Sequence, residues 1–271
     1  MAKRITHLLC IDPQNDFVVA TGPGGEKGQL VVGGAAEDMA RLASFITKNE
    51  RRIDEIHCTL DSHQSVHIAH PIMWVNSKGE HPPVFSVITA ADGRSGLWFA
   101  SYAPFRKRQQ EYLETLEKNG RYQLMVWPPH CLIGSWGAGV VPAVHAAMMK
   151  WEKNRFNRVN WVAKGSNFMS EHYSALMADV PDDSDPTTKI NTNLLDALTV
   201  ADEIVITGEA LSHCVACTIR DIANAFGEDS IKKFTLLTDC SSNVYNCEKL
   251  GRDFVIEMSK RGMKLCKSTD W

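Results

Sequence analysis

Six short apolar runs, each closed by an acid, a glycine or another turn-forming residue, alternate with stretches of helical periodicity. This alternation restricts the fold more than any other feature of the chain. The runs are HLLCID (7–12), EIHCTLD (55–61), YQLMVWP (122–128), NWVAKG (160–165), EIVITG (203–208) and FTLLTDC (234–240). Apolar character that is continuous over a run of this length marks a strand covered on both faces, the environment of a parallel sheet. Helical patterns lie at about 35–50, 138–152, 190–201, 214–227 and 246–261. The order predicts an α/β fold: a three-layer α/β/α domain with a mostly parallel, six-stranded, doubly wound sheet. No repeat or linker divides the chain, so residues 1–271 are expected to form a single domain. The stretch from about 75 to 121 reads as an insertion, a Gly/Pro-rich loop followed by the charged helix FRKRQQEYLETLEKNG that ends at Gly120.

Charge narrows the partners. With 29 basic and 32 acidic residues the formal net charge is −3, and no block of like charge offers a nucleic-acid or membrane surface. Small molecules are the expected partners. The first residues meet Asp12 before a signal-like apolar run develops, and nothing approaches the roughly 18 apolar residues of a membrane span. A cytoplasmic location is expected, with the eight cysteines reduced.

In open α/β sheets ligands gather beyond the carboxyl ends of the strands. The six runs deliver to that rim Asp12, Asp61 with His63, Trp127 with His130, Lys164, Cys214 by way of a loop, and Asp239. Cys214, in GEALSHCVACTIRD, stands where a helix should begin and has Cys217 three residues on. It could be a nucleophile, half of a redox pair or a buried thiol. A free thiol is only a few per cent thiolate at neutral pH, so a nucleophile needs a cation, a base or a helix N-terminus nearby. Lys164 could supply the cation, and Asp12 could take the proton and deliver it to a leaving group. Separately, Asp61 and His63 are two apart in DSHQSVH, so extended backbone points both to one face, and His130 follows another apolar run in WPPHC. Two imidazoles and a carboxylate suit a divalent transition metal: zinc first, with iron or manganese as alternatives. His67 fits a ligand, a residue that supports the ligands, or neither. His57, His70, His81, His145 and His172 receive no role.

Taken in order, CIDPQNDFV, GGEKGQLVVGGA, DSHQSVH, WPPHC, KGSNFMSEHYSAL and GEALSHCV resemble the motifs of the isochorismatase-like cysteine hydrolases, and within them the nicotinamidases. The resemblance implies a triad of Cys214, Asp12 and Lys164, and a metal on Asp61, His63 and His130. It also implies that Phe17 and Trp127 sandwich a pyridine ring. Backbone N–H groups of Ala210 and Cys214 would form an oxyanion hole, shaped by a cis peptide between Glu209 and Ala210. Two positions depart from the family pattern: His213 replaces an aromatic before the nucleophile, and Glu209 occupies a site that is commonly apolar. The expected activity is hydrolysis of nicotinamide to nicotinate and ammonia through a cysteine thioester. The alternatives are another small carboxamide, or a non-catalytic ligand- or metal-binding member of the fold. A homo-oligomer is compatible with either. A redox pair would need neither the metal donors nor the lysine, which favours the nucleophile reading of Cys214.

Overall fold

The computed structural model describes residues 3–271. Six parallel strands form the central sheet: β1 (Thr6–Ile11), β2 (Glu55–Asp61), β3 (Asn160–Lys164), β4 (Glu203–Gly208), β5 (Phe234–Leu237) and β6 (Lys264–Cys266). Their order is β6-β5-β4-β1-β2-β3. β1 and β4, at the centre, are buried at every residue, as the continuous apolar runs require. The chain winds outward from β1 to β3, crosses back, and winds outward again from β4 to β6. Right-handed crossovers therefore place the helices of the two halves on opposite faces. Helices α1 (Ala35–Lys48) and α3 (Pro142–Arg155) pack together against one face. On the other lie α5 (Ala216–Phe226) and α6 (Glu248–Lys260), and α4 (Thr192–Thr199) precedes β4 in the chain. In α1 the buried Met39, Leu42, Phe45 and Ile46 recur at helical spacing and form its core-facing stripe.

One expected strand is elsewhere. The run 122–128 does not enter the sheet: only Leu124–Met125 is extended, in a two-stranded antiparallel ribbon with Val87–Ile88. Its apolar residues are buried by loops rather than by parallel neighbours, a distinction that a short apolar run cannot carry. The sixth strand is instead β6, a three-residue edge strand whose exposed and half-exposed residues give no apolar signal.

The stretch between β2 and α3 also contains α2 (Arg106–Asn119), closed by Gly120 in the left-handed region as expected, and a second ribbon pairing Trp74–Val75 with Phe99–Ala100. No helix among the described residues is long and apolar enough to cross a membrane.

Candidate active site

The strand order reverses between β1 and β4, and the crevice at that point is the expected ligand position in a doubly wound sheet. Asp12 follows β1 there, and the loop to Cys214 follows β4. Gly208 ends β4 so close to β1 that a Cβ would stand 2.0 Å from the Ile11 carbonyl oxygen, so only glycine lets the two strand ends meet. The next peptide bond, Glu209–Ala210, is cis, and Leu211–Val215 forms a π-helical turn that leads into α5.

Lys164 is the hub. Its Nζ lies 3.0 Å from Asp12 Oδ2 and 3.0 Å from Asp61 Oδ1, donates to the His172 carbonyl at 3.0 Å and reaches Cys214 Sγ at 3.5 Å. All four residues are at least nine-tenths buried. Burial opposes the charge on Lys164, yet Asp12 and Asp61 hold its ammonium protonated well above the ordinary lysine range. Burial pushes the Cys214 thiol well up, with Lys164 pulling the other way. Asp12 is likewise raised by burial against the pull of Lys164, and it accepts the Thr59 hydroxyl at 2.5 Å. A thiol and a carboxyl that both favour protonation, one lysine between them, can pass a single proton from one to the other.

A second pole adjoins the first through Asp61. Its Oδ2 lies 3.0 Å from His63 Nε2 and 3.4 Å from His130 Nε2. Burial acts against its charge, but His63 and Lys164 hold the carboxyl well below its usual range. His130 is oriented by a 2.8 Å bond between Nδ1 and the Pro128 carbonyl. That bond fixes the proton on Nδ1 and turns the Nε2 lone pair toward Asp61, the arrangement a metal-ligating imidazole needs. Three converging donors of this chemistry, lying within 4.8 Å of one another, fit a divalent transition ion.

Several residues that hold the site together carry no sequence signal of their own. Gln14 clamps β2 by donating to the Asp61 carbonyl at 2.7 Å and accepting its N–H at 2.8 Å. Asp16 accepts the N–H groups of Cys131 at 2.6 Å and Gln29 at 3.1 Å, so one carboxylate positions the segment bearing His130. His63 also pairs with that segment, its N–H bonded to the Cys131 carbonyl at 3.1 Å. Gly165, at φ 84°, leaves room for the pole: a Cβ there would stand 2.9 Å from Asp61 Oδ1.

The cleft that Cys214 lines is also bounded by Phe17, Leu30, Trp127, Tyr173, His213 and Val244, and Asp61, His130 and Glu171 reach it. Phe17 and Trp127 thus line one cavity. Trp127 is held by its indole N–H to the Tyr173 hydroxyl at 2.8 Å and by its backbone N–H to the Ala69 carbonyl at 2.7 Å. Phe85, two residues before the ribbon strand Val87–Ile88, packs T-shaped against the indole with ring centroids 5.9 Å apart. His213 is kept neutral by burial, its pKa lowered to about 4. Ser212 Oγ accepts the Val244 N–H at 3.1 Å and lies 2.9 Å from His213 Nδ1, so it ties the ring to the segment bearing Val244.

The other sequence candidates separate. His67 packs on His63 with ring centroids 4.3 Å apart, and its two nitrogens already meet the Ser170 carbonyl and the Ala69 N–H. His70 joins this cluster, and a Glu171 carboxylate oxygen lies within 4.8 Å of nitrogens of His63 and His67; the sequence pattern gives neither residue a role. Asp239 does not belong to the rim site: its carboxylate accepts the Ser268 N–H and hydroxyl beyond β6, at 2.7 and 2.8 Å. Cys217 lies buried as the second residue of α5, and all eight cysteines are free.

No family model matches the chain, and no curated protein matches it. Solved structures do. The yeast nicotinamidase Pnc1p bound to the inhibitor nicotinaldehyde superposes with a TM-score of 0.65 at 21% identity, over 97% of this chain and 100% of that one. A nicotinamidase/pyrazinamidase of Acinetobacter baumanii gives 0.63 at 20% identity, over 99% of each chain. The pyrazinamidase of Pyrococcus horikoshii in complex with zinc gives 0.55 at 19%, over 97% of this chain and 98% of that one. At these identities the likeness shows a shared fold, carried along the whole length of both chains.

Proposed function

We propose that this protein is a cysteine amidohydrolase that converts nicotinamide to nicotinate and ammonia. The observation that carries the reading is the hub geometry: one buried ammonium within 3.0 Å of two carboxylates and 3.5 Å of a thiol, at the strand-order reversal of the sheet. The structures sharing this fold are described as nicotinamidases and pyrazinamidases, one of them with nicotinaldehyde and one with zinc. That agreement supports the substrate class.

Asp12 takes the thiol proton of Cys214 as sulfur attacks the carboxamide carbon. Lys164 offsets the negative charge that this transfer leaves on sulfur. The oxyanion forms within reach of the Ala210 and Cys214 N–H groups, whose backbone is fixed before substrate arrives, the condition under which such donors are most effective. Asp12 then protonates the departing nitrogen, the C–N bond breaks, and ammonia leaves a thioester. Water gives its proton to Asp12 as its oxygen attacks the thioester carbon. Release of nicotinate returns the proton to sulfur. Phe17 and Trp127 hold the ring faces while this proceeds. Asp61, His63 and His130 would hold a divalent ion, zinc first, which supplies Lewis-acid coordination for a donor atom of the substrate.

The test is ammonia release from nicotinamide by the metal-loaded protein, with Cys214→Ala as the control. Release that depends on Cys214 supports the reading. A folded, metal-loaded protein that releases none refutes it, and hydrolysis of other small carboxamides in its place would favour the alternative substrate.

A further inference from the structure

A second set of metal-type donors lies at the opposite end of the sheet. The β1–β2 register places His7 directly across from Glu55, and His57 lies two residues further along β2, so all three side chains project from one face. Their donor atoms converge as those of the first pole do. His57 Nε2 stands 3.0 Å from His7 Nδ1 and 3.7 Å from Glu55 Oε2. In the first pole the corresponding separations are 3.0 and 3.4 Å. Donors about 2.1 Å from a tetrahedral zinc are separated by about 3.4 Å, so both clusters have the spacing of a single coordination shell. The separation along β1 from His7 to Asp12 is about 16 Å at the usual rise of a strand, which makes this a site apart from the thiol.

Hydrogen bonding within the protein leaves this cluster incomplete. One N–H is shared between His57 Nε2 and His7 Nδ1, and the Glu55 carboxylate meets the same ring at 3.7 Å, beyond hydrogen-bond distance; a divalent cation would take the place of that proton and draw in the carboxylate. Both histidines are fully buried; His7 turns Nδ1 to His57, and its outer nitrogen, Nε2, has no partner among the described residues. The other ring nitrogen of His57 is held by the Asn160 side chain at 3.0 Å. The amide nitrogen of Asn160 faces Nδ1 in the structure; turned over, the amide oxygen would accept from Nδ1 and support the tautomer that frees His57 Nε2 for a cation. The Glu55 side chain is 47% exposed, and this gives an ion its route in from solvent.

We infer that His7, Glu55 and His57 form a second divalent-metal site of the zinc class, clamping β1 to β2 at the end of the sheet remote from the cleft. It draws on no part of the proposed reaction. The probe is Zn²⁺ itself: metal-free protein is dialysed against buffered Zn²⁺, and bound zinc is counted per chain. The His130→Ala protein, with the first pole broken, is expected to retain one zinc and to gain thermal stability from it. Glu55→Gln in that background, a change at a half-exposed side chain that leaves the core intact, should weaken the binding by about tenfold or more and remove the thermal gain. Adding His57→Gln should abolish it. A His130→Ala protein that binds no zinc, or one whose zinc affinity is the same with and without Glu55→Gln, would overturn the site.

Discussion

Lys164 Nζ and Asp61 Oδ1 are 3.0 Å apart, and the other oxygen of the same carboxylate lies 3.0 Å from His63 Nε2. The thiol chemistry and the metal donors are therefore not independent sites. One carboxylate is shared between them, so a change at either pole alters the charge felt at the other.

The first prediction concerns the cation. Lys164→Met removes the group that pulls the Cys214 thiol down against the effect of burial. The midpoint of Cys214 alkylation by iodoacetamide should move to higher pH, with a large fall in turnover. An unmoved alkylation profile would take Lys164 out of the activation of sulfur.

The two neighbouring thiols should differ in kind. Cys214→Ala is expected to abolish turnover, whereas Cys217→Ala, in the first turn of α5 and outside the cleft lining, keeps most of it. Asp12→Asn should leave ligand affinity largely intact and slow the reaction by roughly 10²–10⁴, the usual worth of a placed acid/base. Equal loss of activity in folded Cys214 and Cys217 variants would restore the redox pair as an explanation.

Metal removal should act on substrate choice. Benzamide keeps the ring and carboxamide of nicotinamide but has no ring nitrogen to coordinate. Chelation, or His130→Ala, is expected to depress kcat/KM for nicotinamide strongly and to narrow its advantage over benzamide, which in the loaded enzyme should be large, on the order of 10⁴. Comparable kcat/KM for the two amides in the metal-loaded protein would contradict anchoring through the ring.

Asp179 gives a prediction about stability. Burial, reinforced by Glu171, pushes its carboxyl up to about 8, and both of its oxygens lack partners. Below the ordinary carboxylate range both folded and unfolded chains hold the proton, and nothing is lost. Between that range and about pH 8 only the folded chain holds it, so stability falls as pH rises, by at most ~1.4 kcal/mol per pH unit from this group. Asp179→Asn should flatten that decline, as read from urea midpoints between pH 5 and 8. An unchanged slope would mean that Asp179 ionises without cost in the fold.

Much of the candidate site could be read from the chain because the doubly wound arrangement brings strand ends together wherever the strands fall. Asp12 and Asp61 sit at the ends of buried apolar runs and Lys164 at the end of the half-exposed edge strand β3, and a parallel sheet carries them to one rim whatever the loops do. Local pattern is enough for that, since continuous apolar character requires cover on both faces. It could not show that Leu124 and its neighbours are buried by a ribbon and loops, because burial has the same composition in either setting. Nor could it show that Lys264–Cys266 closes the sheet, because a short edge strand needs no apolar face. Gln14 and Asp16 act on backbone groups of residues far along the chain, and such bonds leave no mark on residue spacing. His7, Glu55 and His57 become neighbours only through the register of β1 on β2. A slip of one residue would turn either strand's side chains to the opposite face, and only tertiary packing decides that register.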